Sequence, residues 1–255
     1  MFHRRSMIAL TALALALAVP AVTFAAVAVN PTPPKTPAFI QQAIDNPARS
    51  ATQRARDVNR KPGETLSLLG LKQGDQVIEI ASFGQYYSDI LSPAIGAKGK
   101  LYMFDMPYLE TRTAPASRAF VTTHPNTEFK VDKFDELDYP KGVDKVLIVL
   151  YYHDLKPNKV DTAVLDKKLF DALKPGGRLL IVDHKAEAGS AWRDAGTIHR
   201  MGVETIVQEL TAAGFRQIVD SNLLANPTDD HAKMVFSPDE RGHTDQAVFV
   251  FEKPR

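Results

Sequence analysis

The feature that most constrains this chain is a series of seven short apolar segments, with stretches of helical periodicity between most of them. Apolar runs of four to nine residues beside turn-forming residues are typical of buried strands. The alternation predicts right-handed βαβ crossovers and an α/β fold, a doubly wound, mostly parallel seven-stranded sheet with helices on both faces. The segments are QVIEI (76–80), KLYMFD (100–105), EFKV (128–131), DKVLIVLYY (144–152), RLLIVD (178–183), RQIVDS (216–221) and QAVFVFE (246–252).

The N-terminus has the pattern of a secretory signal. Arg4 and Arg5 precede an uncharged apolar run that closes on the small residues Ala26-Val27-Ala28. This pattern predicts a signal peptide over residues 1–28 and a periplasmic or secreted protein, with no stable membrane association after cleavage. An uncleaved membrane anchor is the alternative, because about 20 apolar residues can span a bilayer.

The rest of the chain divides into a spacer and one domain. Residues 29–40 are rich in proline and predict an extended spacer, and residues 41–255 predict a single α/β domain. The helical stretch that opens this domain, from Gln41 to Leu69, carries several basic residues. It is either a solvated face with local ion pairs or a surface that faces an anion.

Composition excludes several classes of function. The 255 residues include no cysteine, which removes thiolate nucleophiles, disulfides, iron–sulfur clusters and cysteine-based zinc sites. A formal net charge of +1 with 24% charged residues is too balanced for a nucleic-acid coat, so no nucleic-acid partner is expected. The oligomeric state does not follow from the sequence.

Residues just after the strands are the candidate ligand-binding residues, because ligands of open α/β sheets lie beyond the carboxyl ends of the strands. Asp105 ends the second predicted strand, 26 positions after Glu79 in the first. A carboxylate near this offset can bind ribose hydroxyls, so a nucleoside-type ligand is one interpretation. The other is that Asp105 only caps the following turn.

Three segments, VIEIASFGQYYSDIL, LYMFD and DALKPGGRLLIVDH, resemble the class I S-adenosylmethionine-dependent methyltransferases. The segments TIHRM (197–201), NPTDDH (226–231) and RGHTDQAVFVF (241–251) resemble an exported subgroup of predicted methyltransferases. The resemblance covers residues 49 to 254 and implies a Rossmann-like methyltransferase fold that binds S-adenosylmethionine.

The resemblance also implies which residues hold the cofactor. Asp105 would bind the ribose, Asp132 and Phe134 would flank the adenine, and the loop after the first strand would approach the amino-acid end. The implied cofactor-binding residues are Glu79, Ala81, Ser82, Gly84, Asp105, Met106, Asp132, Phe134 and Tyr151.

The loop after the first strand departs from the family pattern. Gly84 is its one glycine, and Phe83 stands where a small residue is expected. Because a bulky residue rarely adopts the positive φ that glycine allows, either the loop takes another path or the cofactor pocket is altered.

Histidines and acids after the later strands are the candidate catalytic residues. His153 or His184 could act as the general base of methyl transfer, oriented by Asp154 or Asp183. A divalent ion held by Asp154, Asp183 or His231 could instead bind the acceptor, although no metal ligand is assigned. The third alternative is structural, since such residues often cap helices and bind loop backbone. The predicted catalytic set is His153, Asp154, His184 and His199, and these histidines with His231 are expected to share one pocket.

These observations lead to two hypotheses from different classes. The first is an exported S-adenosylmethionine-dependent methyltransferase that acts on a small molecule. The second is an exported binding protein of the same fold, with a degenerate cofactor loop, that holds another ligand or a metal through a His/Asp pocket.

Overall fold

The computed structural model describes residues 27–255, which form one sheet flanked by helices. The predicted signal peptide lies almost wholly outside these residues and stays a prediction. Within them the strands are β1 (Ala28–Val29), β2 (Gln76–Ile80), β3 (Lys100–Asp105), β4 (Thr127–Val131), β5 (Val143–Val149), β6 (Leu173–His184), β7 (Arg216–Ser221) and β8 (Gln246–Glu252). The α-helices are α1 (Ala38–Ile44), α2 (Ala51–Arg54), α3 (Asp57–Arg60), α4 (Pro62–Leu69), α5 (Ser88–Ile95), α6 (Ala114–Thr123), α7 (Thr162–Ala172), α8 (Ala195–Ile198) and α9 (Val203–Ala212).

The strand order is β1-β7-β8-β6-β5-β2-β3-β4. Strands β2 to β6 pair in parallel, and β8 runs antiparallel to both β6 and β7. The predicted α/β fold is therefore confirmed, with eight strands in the described residues instead of seven. The added strand is β1, which pairs in parallel with β7 through Ala28 and Val29. Two residues are too short a segment to be recognised by periodicity.

The sheet is covered on both faces, as the apolar run of β5 predicts. Val146 and Ile148 face a core that α7 and α9 complete with Leu165 and Leu210. Leu147, between them, faces the second core, which residues of α1, α4 and α5 complete. Alternate residues of one strand thus enter different cores, which is why the run has no polar face.

The LKPGG segment belongs to a strand and not only to a turn. β6 begins at Leu173 and continues through Gly176 and Gly177, five residues before the predicted start. A Cβ atom on Gly177 would lie 2.8 Å from the carbonyl oxygen of Lys174, so this position needs glycine. None of the helices within residues 27–255 has the length and apolar character to cross a membrane.

Candidate functional site

The site lies where the chain reverses its direction of travel across the sheet. On one side of β2 the sheet continues with β3 and β4, and on the other side it continues with β5 and β6. The carboxyl ends of β2 and β5 therefore form the crevice in which such sheets bind ligands. A cavity of about 190 Å³ occupies this crevice. Its wall includes Glu79, Ala81, Phe83, His153 and His184.

The loop after β2 contains three residues with positive φ, and only one of them is a glycine. Ala81, Gly84 and Gln85 all have positive φ, at 61°, 79° and 48°. The amide N–H of Ala81 donates to the Phe104 carbonyl at 2.8 Å, which ties the start of the loop to β3. A left-handed alanine costs roughly 1–3 kcal/mol and persists only where its surroundings enforce it, and such positions concentrate at functional sites.

Glu79 is a buried acid at the end of β2, in the cavity wall. Its carboxylate accepts a hydrogen bond from Ser88 Oγ at 2.7 Å, but it is only 6% exposed. Burial, more than any nearby charge, raises the pKa of Glu79 to about 8, so the folded protein holds this side chain neutral at pH 7.

Replacing Glu79 with Gln is expected to stabilise the protein increasingly as the pH rises. Between about pH 4.5 and pH 8 the folded state keeps a proton on Glu79 that the unfolded state loses, so wild-type stability falls across this window. The Glu79→Gln variant cannot titrate. Compared with the wild type, the free energy of unfolding of the variant should be almost the same near pH 4.5 and higher by about 2–4 kcal/mol near pH 8.

Urea denaturation at both ends of this window measures the effect. Glu128→Gln, at a position with a 64% exposed side chain on β4, is the matched control and should show no comparable pH dependence. An equal response of the two variants would contradict the assignment of Glu79 as a neutral buried acid.

Asp105 ends β3 and is fully buried, with one carboxylate oxygen unpaired. Oδ1 accepts a hydrogen bond from the hydroxyl of Ser82 at 3.2 Å. Oδ2 has no hydrogen-bond partner within residues 27–255. Burial raises the pKa of Asp105 to about 6. A buried acceptor without a donor is costly, and at a strand end beside the crevice it offers an acceptor for a hydrogen bond from a ligand.

Aromatic residues pack around Phe83 at the cavity wall. Phe83 lines the cavity, and its ring meets the Tyr151 ring edge-on at 5.9 Å. Tyr151 in turn meets Phe134 at 5.7 Å, and its hydroxyl lies 2.8 Å from that of Tyr108. Phe83 therefore takes up space at the cavity wall beside the loop, and the two alternatives for this loop, another path or an altered pocket, stay predictions.

Four other implied cofactor residues lie in the core or at the surface. Met106 and Phe134 are buried in the hydrophobic core. Gly84 is exposed, and Asp132 forms a surface ion pair with Lys130 at 3.1 Å. None of these four lines the cavity as the structure stands.

His153 and Asp183 form a buried dyad at the cavity wall. His153 Nδ1 lies 2.5 Å from Asp183 Oδ1, and the backbone N–H of His153 donates to Asp183 Oδ2 at 2.7 Å. Burial alone would lower the pKa of His153, but the Asp183 carboxylate outweighs burial and raises it. The orienting acid of the two that the sequence offered is therefore Asp183, and the Nε2 atom of His153 is left to act on a ligand.

His184 lines the same cavity in a neutral state. Its Nδ1 atom lies 2.7 Å from the Thr244 hydroxyl, and its ring centre lies 5.5 Å from that of His153. Burial, with added repulsion from His153 and Arg200, holds the pKa of His184 well below its usual range. The two histidines thus differ in charge preference, which suits one proton acceptor and one neutral hydrogen-bonding group.

Asp154 and His199 lie at the outer side of the dyad. Asp154 Oδ1 is 2.8 Å from His199 Nδ1 and 3.5 Å from His153 Nε2, although the His199 contact does not have hydrogen-bond geometry. One ligand atom from each of these three residues can lie within 4.8 Å of the others, which is the one such group of potential metal ligands in the described range.

His231 does not belong to this pocket, contrary to the prediction. Its Nε2 atom lies 3.1 Å from Asp245, in a network that Asp229 and the fully buried Arg200 complete. Arg200 donates both to Asp229 and to the Lys185 carbonyl, so this network joins the loop after β6 to the segment before β8. Histidine, aspartate and arginine are common in functional sites, but in this network they hold two segments of the fold together.

Sequence reasoning missed one part of the cavity wall. Phe236 lines the cavity from the segment before β8 and lies 4.9 Å from the His199 ring, centre to centre. Arg56 and Arg60 also line it. The basic stretch was visible in the sequence, whereas nothing local marks Phe236, because only the tertiary fold brings it to the strand ends.

Solved structures similar to this chain are methyltransferases or share their fold. A methyltransferase from Aquifex aeolicus that depends on S-adenosylmethionine has a TM-score of 0.54 at 19% identity, covering 84% of this chain and 96% of that one. The N-methyltransferase NodS from Bradyrhizobium japonicum has a TM-score of 0.54 at 16% identity, covering 83% and 99%. The cyclase SpnF has a TM-score of 0.56 at 14% identity, covering 81% and 84%.

No family model and no curated protein matches this sequence. At these identities the structural likeness establishes the fold, which is that of the class I methyltransferases. The cyclase among the similar structures illustrates that one fold supports different reactions, so the function has to be argued from the site.

Proposed function

We propose that the protein is an exported methyltransferase that uses S-adenosylmethionine to methylate a small molecule. The observation that carries the proposal is the unpaired, buried Oδ2 atom of Asp105 at the end of the strand beside the crevice. A carboxylate oxygen in that place needs a donor, and a ribose hydroxyl supplies one.

The residues of the crevice fit the cofactor in part. Asp105 would accept the ribose hydroxyl, and Glu79 with the loop at Ala81 would border the amino-acid end. Phe83 lines the cavity and Asp105 does not, so the cavity does not reach the carboxylate that would bind the ribose. When bound, S-adenosylmethionine supplies an electrophilic methyl group on a sulfonium centre.

The chain's own contribution to the reaction is proton removal at His153. An acceptor hydroxyl or amine in the cavity would lose its proton to Nε2 of His153, while Asp183 holds Nδ1 and stabilises the imidazolium that forms. The neutral His184 would donate or accept a hydrogen bond beside it.

Location and partners belong to the same proposal. The signal pattern of residues 1–28 supports export to the periplasm or beyond. The balanced charge supports a small-molecule acceptor and no nucleic-acid partner.

Replacing Asp105 with Ala is expected to weaken binding of S-adenosylmethionine by about 1–3 kcal/mol, because the ribose hydroxyl loses its acceptor. Equilibrium dialysis with labelled cofactor measures the change. Asp138→Ala is the control, because Asp138 is an exposed aspartate, and this variant should bind the cofactor as the wild type does. Equal affinity of the two variants would remove Asp105 from the site.

A second candidate is the binding protein that holds a metal ion, and one observation favours it. His153, Asp154 and His199 bring three potential ligand atoms within 4.8 Å. Metal analysis of the isolated protein and of a His199→Gln variant separates the candidates. A stoichiometric metal that the variant loses would support this function, and the same low metal content in both proteins would contradict it.

A further inference from the structure

A second cavity of about 530 Å³ adjoins the first. The two share wall residues, among them Arg56, Arg60, Leu150 and His184. The space beside His153 therefore continues into a larger chamber. We call this second cavity the arginine chamber, after Arg56, Arg60 and Arg241 in its wall.

The arginine chamber is strongly basic. Its wall contains three guanidinium groups and no Asp or Glu. Within residues 27–255 the side chains of Arg56, Arg60 and Arg241 form no ion pair within 4.0 Å and donate no hydrogen bond to protein. Arg49 and Arg200 are different, because Asp57 and Asp229 neutralise them.

Aromatic rings, and not carboxylates, hold these guanidinium groups in place. Arg60 and Arg56 lie over the Tyr86 ring, at 4.5 and 5.1 Å from its centre, and Arg241 lies 5.8 Å from the centre of Phe236. Stacking on a ring face leaves the N–H edges of a guanidinium free to bind an anion.

Arg56 lies close enough to Arg60 and to Arg241 for both charges to repel it. Desolvation, followed by the charges of Arg60 and Arg241, lowers the pKa of Arg56. Like charges brought together without a counter-ion destabilise the folded protein, and a bound anion would relieve that cost.

We propose that the arginine chamber binds an anionic group, a carboxylate or a phosphate, of the molecule that is methylated. This inference rests on the proposed function and narrows its substrate class to acceptors with an anion at one end and a hydroxyl or amine at the other. The planar forks of arginine match both carboxylate and phosphate oxygens.

The carboxylate of S-adenosylmethionine is the other possible source of this anion, and the position of the chamber argues against it. Arg56 and Arg60 lie over Tyr86 of the loop 81–87, where the cofactor's amino-acid end would lie, but the third arginine, Arg241, lies beside Phe236. The chamber wall itself contains no residue of β2 or of that loop. Two of the arginines, Arg56 and Arg60, are shared with the cavity that holds His153, so an anion here would present its far end to the dyad.

Calorimetric titration with inorganic phosphate and with succinate tests the anion site directly. We expect saturable binding by the wild type and a loss of at least about tenfold in affinity in Arg60→Gln and Arg241→Gln. Arg112→Gln is the matched control, because Arg112 is exposed and lies outside the chamber wall. No saturable binding of either anion, or equal loss in the control, would overturn the proposal.

The same titrations with S-adenosylhomocysteine present separate the possible sources. Anion affinity that stays unchanged or rises supports an acceptor site, whereas competition between the two ligands would assign the arginines to the cofactor carboxylate and overturn it. Anion binding without any binding of S-adenosylhomocysteine would contradict the methyltransferase and leave the anion site. Binding of S-adenosylhomocysteine without anion binding would overturn the anion site and leave the proposed methyltransferase standing.

Discussion

Replacing His153 with Gln is expected to slow methyl transfer by about 10²–10⁴-fold, the usual contribution of a positioned general base. Gln cannot take a proton at the place of Nε2, and it ends the charge stabilisation that Asp183 gives to an imidazolium. The measurement is transfer of labelled methyl from S-adenosylmethionine to carboxylate- and phosphate-bearing hydroxy or amino compounds. The affinity for S-adenosylhomocysteine should change little, because the cofactor residues are on another part of the crevice.

His243→Gln is the matched control for this experiment. His243 is exposed, and within residues 27–255 its hydrogen bonds are made by its backbone N–H and carbonyl groups. The control should keep wild-type activity. A His153→Gln enzyme that remains as active as His243→Gln would contradict the assignment of His153 as the base.

Replacing Asp229 with Ala is expected to lower the free energy of unfolding by about 3–5 kcal/mol. The side chains of Arg200 and Asp229 are both fully buried, and their ion pair measures 2.7 Å. Without Asp229 the buried guanidinium loses its main counter-charge, and the amide N–H groups of His231 and Asp245 lose their acceptor. Urea denaturation at pH 7 measures the loss.

An exposed ion pair provides the comparison. Glu187 pairs with Arg193 at 3.2 Å, but its side chain is 77% exposed. Glu187→Ala should therefore cost less than about 1 kcal/mol. If both variants lost the same small amount, the buried network would not be what joins the loop after β6 to the segment before β8.

Most of the sheet could be predicted from the sequence, because its central strands are buried on both faces. A run such as the one around Leu147 has few alternatives to a strand inside a parallel sheet. The pairing of Ala28 with Val219 could not be predicted, since it depends on an edge that the rest of the fold creates. The early start of β6 was also missed, because Pro175-Gly176-Gly177 has the composition of a turn.

The candidate site was predictable wherever it depends on strand ends. Asp105 and His184 end β3 and β6, and His153 follows β5 closely, so topology alone places them at one edge. His231 was placed wrongly, because its partner in space, Asp245, comes from a different segment of the chain. The expectation that Asp132 flanks an adenine stays a prediction. Burial raises the pKa of Glu79 and of Asp105, and the sequence could not predict this because burial depends on the whole fold.

Phe83 is the residue that departs most from the resemblance. A bulky residue in the loop after β2 predicted either another loop path or an altered pocket, and its ring meets Tyr151 edge-on at the cavity wall. The loop reaches its turn with Ala81 and Gln85 in left-handed conformations, which glycine adopts more readily.

Calorimetric titration of the purified wild-type protein with S-adenosylhomocysteine, in the absence and in the presence of a divalent metal, tests the central claim most directly. The proposed function predicts saturable binding of one ligand molecule per chain without any need for metal. No heat and no thermal shift at millimolar ligand under either condition would contradict it.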